Sequence, residues 1–355
     1  MNNQYTPPPI SRQNNYLFNI DFLRIFYTFC ILYRHFFATI GYDNNGWLAV
    51  EFFFSLSGFM FLYSWKAEET LSHFLYKKFI RFAPLAAFGA ILCAFFQDFN
   101  FGKALNVLVK PRYVADFLLL NGNGLVGDAA ANPPAWYLSA MILLLAVLFL
   151  ALKTFEKNKV CFFAAIFSYL SFLALHKYGY APNGGFGGNS DIIPLRLHRG
   201  IACVGLGFLG AVFVEKAAFV KNKALITVFE VFSLTAAVYF MFKMKTYPTY
   251  TFLMCLANTA VICLFVHNKG ALSTFLNKPF WKKLSKYMLS LYLTHYAIVY
   301  LMQYVLKKYD IPQGKEQLLT ALSCVALSVA VAVLAHHLIE KPAYTYLNDL
   351  WKRAE

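Results

Sequence analysis

Apolar residues in this chain come in long blocks separated by short polar turns. A helix needs about 20 mostly apolar residues to cross a bilayer. Ten blocks meet that length and are predicted spans: 20–41, 46–65, 80–97, 134–152, 159–176, 192–214, 224–243, 248–267, 284–306 and 317–339. The stretch 113–121 is apolar but too short to cross, which predicts a surface or re-entrant piece. The alternating ten-residue strands of a barrel do not occur, so the spans are helices. The pattern predicts an all-α polytopic membrane helix bundle. It reads as a polar tail over 1–19, one transmembrane domain over 20–345 and a polar tail over 346–355.

Composition agrees. Of 355 residues, 59% are hydrophobic and only 14% charged, with a mean hydropathy of +0.51. An average soluble domain has about 25% charged residues. A soluble core, a disordered chain and a disulfide scaffold are excluded. The seven cysteines all fall in apolar blocks without a CxxC spacing, so they read as packing residues and no metal is expected. The first 19 residues lack a secretory signal's apolar run and cleavage site, so the first span reads as a retained anchor.

The net charge of +15 changes the picture only after it is sorted by position. With the N-terminus inside, the cytoplasmic segments hold 19 Lys and Arg and the outer loops hold nine. The positive-inside rule then gives N-in and C-in, and nucleic acid is no longer needed to explain the charge. Arg24, Arg34, Arg196 and Arg199 remain within apolar spans. A charge there costs several kcal/mol and faces a protein interior or a wet cavity.

Span 1 carries Asp21, Arg24, Arg34 and His35. Arg24 and His35 are eleven residues apart, so they share a face about 16 Å apart. Span 2 returns through a short turn, and Glu51 falls at nearly the depth of His35. That predicts a carboxylate orienting an imidazole. The same depth test selects Trp136, Tyr137 and Arg199 as substrate contacts in the outer half, and His295, which lies mid-membrane, is a further candidate substrate contact. Lys77, Lys78 and Arg81 open span 3 near Arg24, as a basic patch suited to phosphate.

Each residue also has a plainer reading. Arg24 can snorkel and pair with Asp21. Lys77, Lys78 and Arg81 are also an ordinary cytoplasmic flank. His35 and His295 can be packing residues, and Trp136 an aromatic-belt residue. Gly184, Gly185, Gly187 and Gly188 read as an outer loop, since the GK[ST] ending of a phosphate cradle is missing.

Seven segments occur together in order: NIDFLR with His35 eleven residues after Arg24, GWLAVEFFFSLSGF, KKFIRFAPL, PPAWYLSAM, LHRGIACVGLGFLGA, SLYLTHYAIV and HLIEKPA. In this the chain resembles acyltransferase family 3, the bacterial membrane O-acyltransferases of cell-surface glycans, over about residues 18–345. Two features depart from relatives. The pair after span 2 is Lys78-x-x-Arg81 where two arginines are common, and no appended hydrolase-like domain is visible. The resemblance implies transfer of an acyl group, most often acetyl, from cytoplasmic acyl-CoA, with no metal. The acceptor it implies is a hydroxyl of a surface glycan or lipid-linked sugar at the outer face of a bacterial inner membrane. It also implies that His35 is catalytic and that Arg24, with Lys78 and Arg81, holds the donor. His35 as general base and an acyl-His35 intermediate both fit. Arg199 or Tyr137 is a candidate for the oxyanion. The rival class is a transporter or flippase of a glycolipid or small anion.

Overall fold

The computed structural model describes residues 16–354 except 43, 110, 122–130, 179–192, 217–220, 243–247 and 313. Arg12 and the glycines of 184–188 lie outside the described residues. The chain forms α1 (Phe18–Ala38), α2 (Ala49–Tyr63), α3 (Leu71–Asp98), α4 (Phe101–Leu108), α5 (Pro111–Phe117), α6 (Trp136–Thr154), α7 (Lys157–Tyr178) and α8 (Leu195–Lys216). It continues with α9 (Lys223–Phe242), α10 (Pro248–His267), α11 (Ala271–Leu276), α12 (Phe280–Ser285), α13 (Met288–Lys308), α14 (Leu318–Ala335) and α15 (Lys341–Ala354). The fold is a polytopic helical bundle. Among the described residues, nine helical stretches are long and apolar enough to cross a membrane. The tenth expected span, α1, forms over 21 residues but carries Asp21, Arg24 and Arg34. Large apolar side chains such as Phe162, Phe213, Phe232 and Leu319 lie exposed on the outside of the bundle. In a chain of this hydropathy that exposure fits lipid contact.

Boundaries differ from expectation where polar residues extend a helix. Helix α3 starts at Leu71 rather than 80, with the Thr70 side chain accepting from the His73 amide at its N-cap. Lys77, Lys78 and Arg81 therefore project from a helix face. Pro134 belongs to a 3₁₀ turn, Pro133–Ala135, that leads into α6. The C-terminal tail is also helical. After α14, one π-helical turn (His336–Glu340) leads into α15. Glu340 accepts from Ser290 Oγ at 2.6 Å and lies 2.9 Å from His336 Nδ1, tying that turn to α13. Tyr76 of α3 donates to the Leu347 carbonyl at 2.6 Å, and its ring stacks 4.2 Å from Trp351.

Helices α2 and α8 make the closest packing. A Cβ at Gly58 would lie 2.0 Å from the Val204 carbonyl oxygen, and one at Gly207 would lie 1.8 Å from that of Ser55. No other residue fits at either position. Small residues let helices approach where dispersion, rather than the hydrophobic effect, drives association.

The short piece expected at 113–121 packs inward. Buried Asp116 accepts from the Asn121 amide and the Ala131 backbone N–H. Ser139 donates to Asn121 Oδ1 at 3.0 Å, and Asn132 Nδ2 donates to the Leu293 carbonyl at 2.9 Å. Together these bonds fasten the long 98–133 connection to α6 and α13. Burial pushes the Asp116 carboxyl up to about 6, although hydrogen bonds from Ala131, Asn132 and Asn121 oppose it.

Candidate active site

The sequence-predicted residues gather in three places. The first is a cavity of about 880 Å³ at the end of the bundle where α1 and α3 begin. Arg24 of α1 and Lys78 and Arg81 of α3 line it together, whereas Lys77, the third member of the predicted patch, pairs with Glu69 and does not line it. Lys282, Lys283 and Lys286 join them from α12 and the residue that follows it. Six cations therefore surround one opening. In the sequence the last three read only as topology charges; their spacing just ahead of a span was the available signal. Arg24 Nη1 is 3.5 Å from Asp21 Oδ1, and the arginine side chain stays 37% exposed. The pairing read from the sequence forms, yet it leaves the guanidinium facing the cavity. Tyr16 covers the entrance with the Lys282 ammonium 4.4 Å from its ring centre. Burial, then a hydrogen bond with Asp21, pushes the Tyr16 phenol above its ordinary value.

The deeper wall is apolar and aromatic, with Phe53, Met141, Tyr137 and Tyr292. Tyr137 lies 3.2 Å from Ser57 Oγ, oxygen to oxygen, and its ring is 5.9 Å from that of Tyr292. Tyr292 donates to the Pro134 carbonyl at 2.9 Å, which fixes it between α13 and the turn before α6.

Behind Tyr292 is the second cluster. The ring of His295 is 6.1 Å from Tyr292 and 5.2 Å from His35, and Tyr296 stands edge-on to His35 at 5.0 Å. His295 is fully buried. Its Nδ1 lies 2.8 Å from the Tyr292 carbonyl. A carbonyl only accepts, so Nδ1 carries the proton and Nε2 is the basic nitrogen. Among the described residues, Nε2 has no hydrogen-bond partner. The sequence places His295 only by depth, mid-membrane; the packing of α1 against α13 brings its ring beside that of His35.

The third cluster corrects an expectation. Glu51 was predicted to orient His35. Its Oε1 instead accepts from Arg199 Nε at 2.6 Å. The physical cause is the glycine packing of α2 on α8, which draws the Arg199 guanidinium onto the Glu51 side of α2. Glu51 is fully buried and Arg199 is 8% exposed. Trp47 and Trp136 lie 4.7 and 5.0 Å from the guanidinium carbon. The depth test thus brought Glu51, Trp136 and Arg199 together correctly. It assigned His35 to the wrong partner.

A family model described as an acyltransferase domain matches residues 17–337. The chain belongs to acyltransferase family 3. No curated protein and no solved structure gives a significant match. The acyltransferase 3 match runs from the first turn of α1 into the π-helical turn, so all three clusters fall within the family domain. Membership makes this a membrane acyltransferase in general terms. Among the described residues, no group of His, Cys, Asp and Glu could hold a metal ion.

Proposed function

We propose that the protein transfers an acyl group, acetyl as the leading reading, from cytoplasmic acyl-CoA to a hydroxyl of a surface glycan or its lipid-linked precursor. The proposed location is the inner membrane of a bacterium. One observation carries the reading. A six-cation opening leads into an aromatic cavity, and Tyr292 in its wall adjoins His295, whose ring neighbours that of His35. Phosphates suit the cations: the arginines offer forked donors and the lysines point charges. An elongated thioester arm suits the apolar depth.

In the proposed reaction, His35 takes the proton from the sugar hydroxyl as its oxygen attacks the thioester carbonyl carbon. The new C–O bond forms and the C–S bond breaks. The proton passes from His35 to the departing sulfur, which leaves as the free thiol. A neutral imidazole, with an ordinary pKa of about 6.5, suits both proton transfers. His295, anchored through Nδ1, is a positioning residue beside it. Arg199 is already committed to Glu51, so Tyr137 on the cavity wall is the donor we assign to the carbonyl oxygen.

The test uses the purified full chain with labelled acetyl-CoA and a glycan acceptor. Labelled ester and free thiol should appear in equal amounts. His35→Ala should abolish both while the protein keeps its elution profile. Full transfer by that variant sinks the role of His35. Movement of substrate across proteoliposomes without chemistry would establish the transporter reading instead.

A further inference from the structure

At the opposite end of the bundle is a second cleft, of about 540 Å³, lined by Gln97 from the end of α3 and Tyr300, Gln303, Tyr304, Lys307 and Lys308 from α13. We infer that this cleft binds a negatively charged sugar unit of the acceptor. The inference rests on the acyltransferase reading only in calling that sugar the acceptor.

The lining has the groups a charged sugar needs. The two tyrosines each combine an apolar ring with a hydroxyl, a pairing that suits a pyranose. Two glutamine side chains offer paired donors and acceptors for hydroxyls. Two lysines supply positive charge, and no carboxylate lines the cleft. Among the described residues neither Lys307 nor Lys308 forms a salt bridge. The Lys308 ammonium is held 5.7 Å over Tyr304 and 5.6 Å over Tyr309. Phe99 stacks on Tyr304 at 4.7 Å, which fixes one wall of the cleft.

The cleft is also joined to the histidine pair. Tyr292, Tyr296, Tyr300 and Tyr304 recur every four residues on α13, so consecutive members are neighbours on a row that winds slowly around the helix. Tyr296 is 5.1 Å from Tyr300 and 5.0 Å from His35, ring to ring. Tyr304 lies about 14 Å beyond His295 along the helix. Ring contacts thus link the cleft wall at Tyr300 through Tyr296 to His35. Donor and acceptor would approach His35 from opposite ends of one helix.

A binding experiment tests this without turnover. The full chain in phosphatidylcholine nanodiscs is titrated with a glucuronate-containing disaccharide, with lactose as neutral control and coenzyme A as a separate ligand. The uronate disaccharide should bind, and lactose should bind more weakly. Tyr304→Ala and Lys307→Glu/Lys308→Glu should each weaken the uronate about tenfold, the loss expected for one ring face or charged contact. Their coenzyme A binding should not change, which also shows that they are folded. Absence of uronate binding in the wild type, or equal binding in the variants, overturns the inference. A variant effect that appears only when phosphatidylglycerol is added to the discs, and not in phosphatidylcholine alone, also overturns it, since the lysines would then be lipid anchors. Loss of coenzyme A binding beside intact uronate binding would count against the donor site and leave the cleft standing.

Discussion

Glu51→Gln separates two accounts of a buried carboxylate. It preserves size and an acceptor oxygen but removes the charge facing Arg199 Nε at 2.6 Å. Glu51 is fully buried and Arg199 nearly so. Removing one partner of a buried pair costs roughly 3–5 kcal/mol, because the other charge is left uncompensated. Trp47 and Trp136 still face the guanidinium in the variant, which favours the low end of that range. The expected loss is about 3 kcal/mol. Glu51→Gln/Arg199→Met buries no charge, and replacing a pair by apolar groups is often neutral or better. The double variant should therefore regain most of the stability. Reversible unfolding in mixed micelles titrated with sodium dodecyl sulfate, followed by tryptophan fluorescence, measures both. Wild-type stability in Glu51→Gln would refute the pairing argument. If that stable variant were also inactive, Glu51 would return to the side of His35 as first read from the sequence.

Three further outcomes follow from the geometry. Arg24→Ala and Lys286→Ala should each raise the apparent KM for acetyl-CoA, more at low salt than at high salt, because exposed charge contacts are screened; an unchanged KM removes that residue from the donor site. Gly207→Val should prevent close packing of α2 on α8, since its Cβ would sit 1.8 Å from a backbone oxygen, and the protein should lose its monodisperse elution in detergent; normal elution and melting would show that α8 yields. Asp116 is held at about 6 against 3.8 when free. The folded state therefore binds the extra proton between those values, and stability falls as pH rises through them. Ionised Asp116 then costs about 3 kcal/mol relative to the unfolded chain. Melting of the wild type should improve between pH 7 and 5 relative to Asp116→Asn, and parallel pH profiles would refute the assignment.

The basic cavity was largely legible in the sequence. Arg24, Lys78 and Arg81 are costly residues near the starts of two spans, and helix periodicity alone sets which way they face. Lys282, Lys283 and Lys286 were hidden because lysines beside a span normally report only orientation. Asp116 was hidden because a short apolar stretch that fits a surface or a re-entrant piece equally does not say which of its polar residues turns inward. The pairing of His35 was misread for a related reason. Depth along a span fixes one coordinate of a side chain and leaves its direction around the bundle open, so His35 and Glu51 matched in depth while facing different helices.

The sequence by itself determined the membrane class, the helical make-up of the bundle and the charges that need a reason to be buried. Those properties follow from the length and local hydropathy of each segment in lipid. Only the tertiary structure decided the partners: Arg199 for Glu51, His295 for His35, and six cations around one cavity. Those choices depend on how helices distant in the chain approach one another. Here that approach is set by two glycines, Gly58 and Gly207, and by the packing of α13 against α1 and α3, which no single segment encodes.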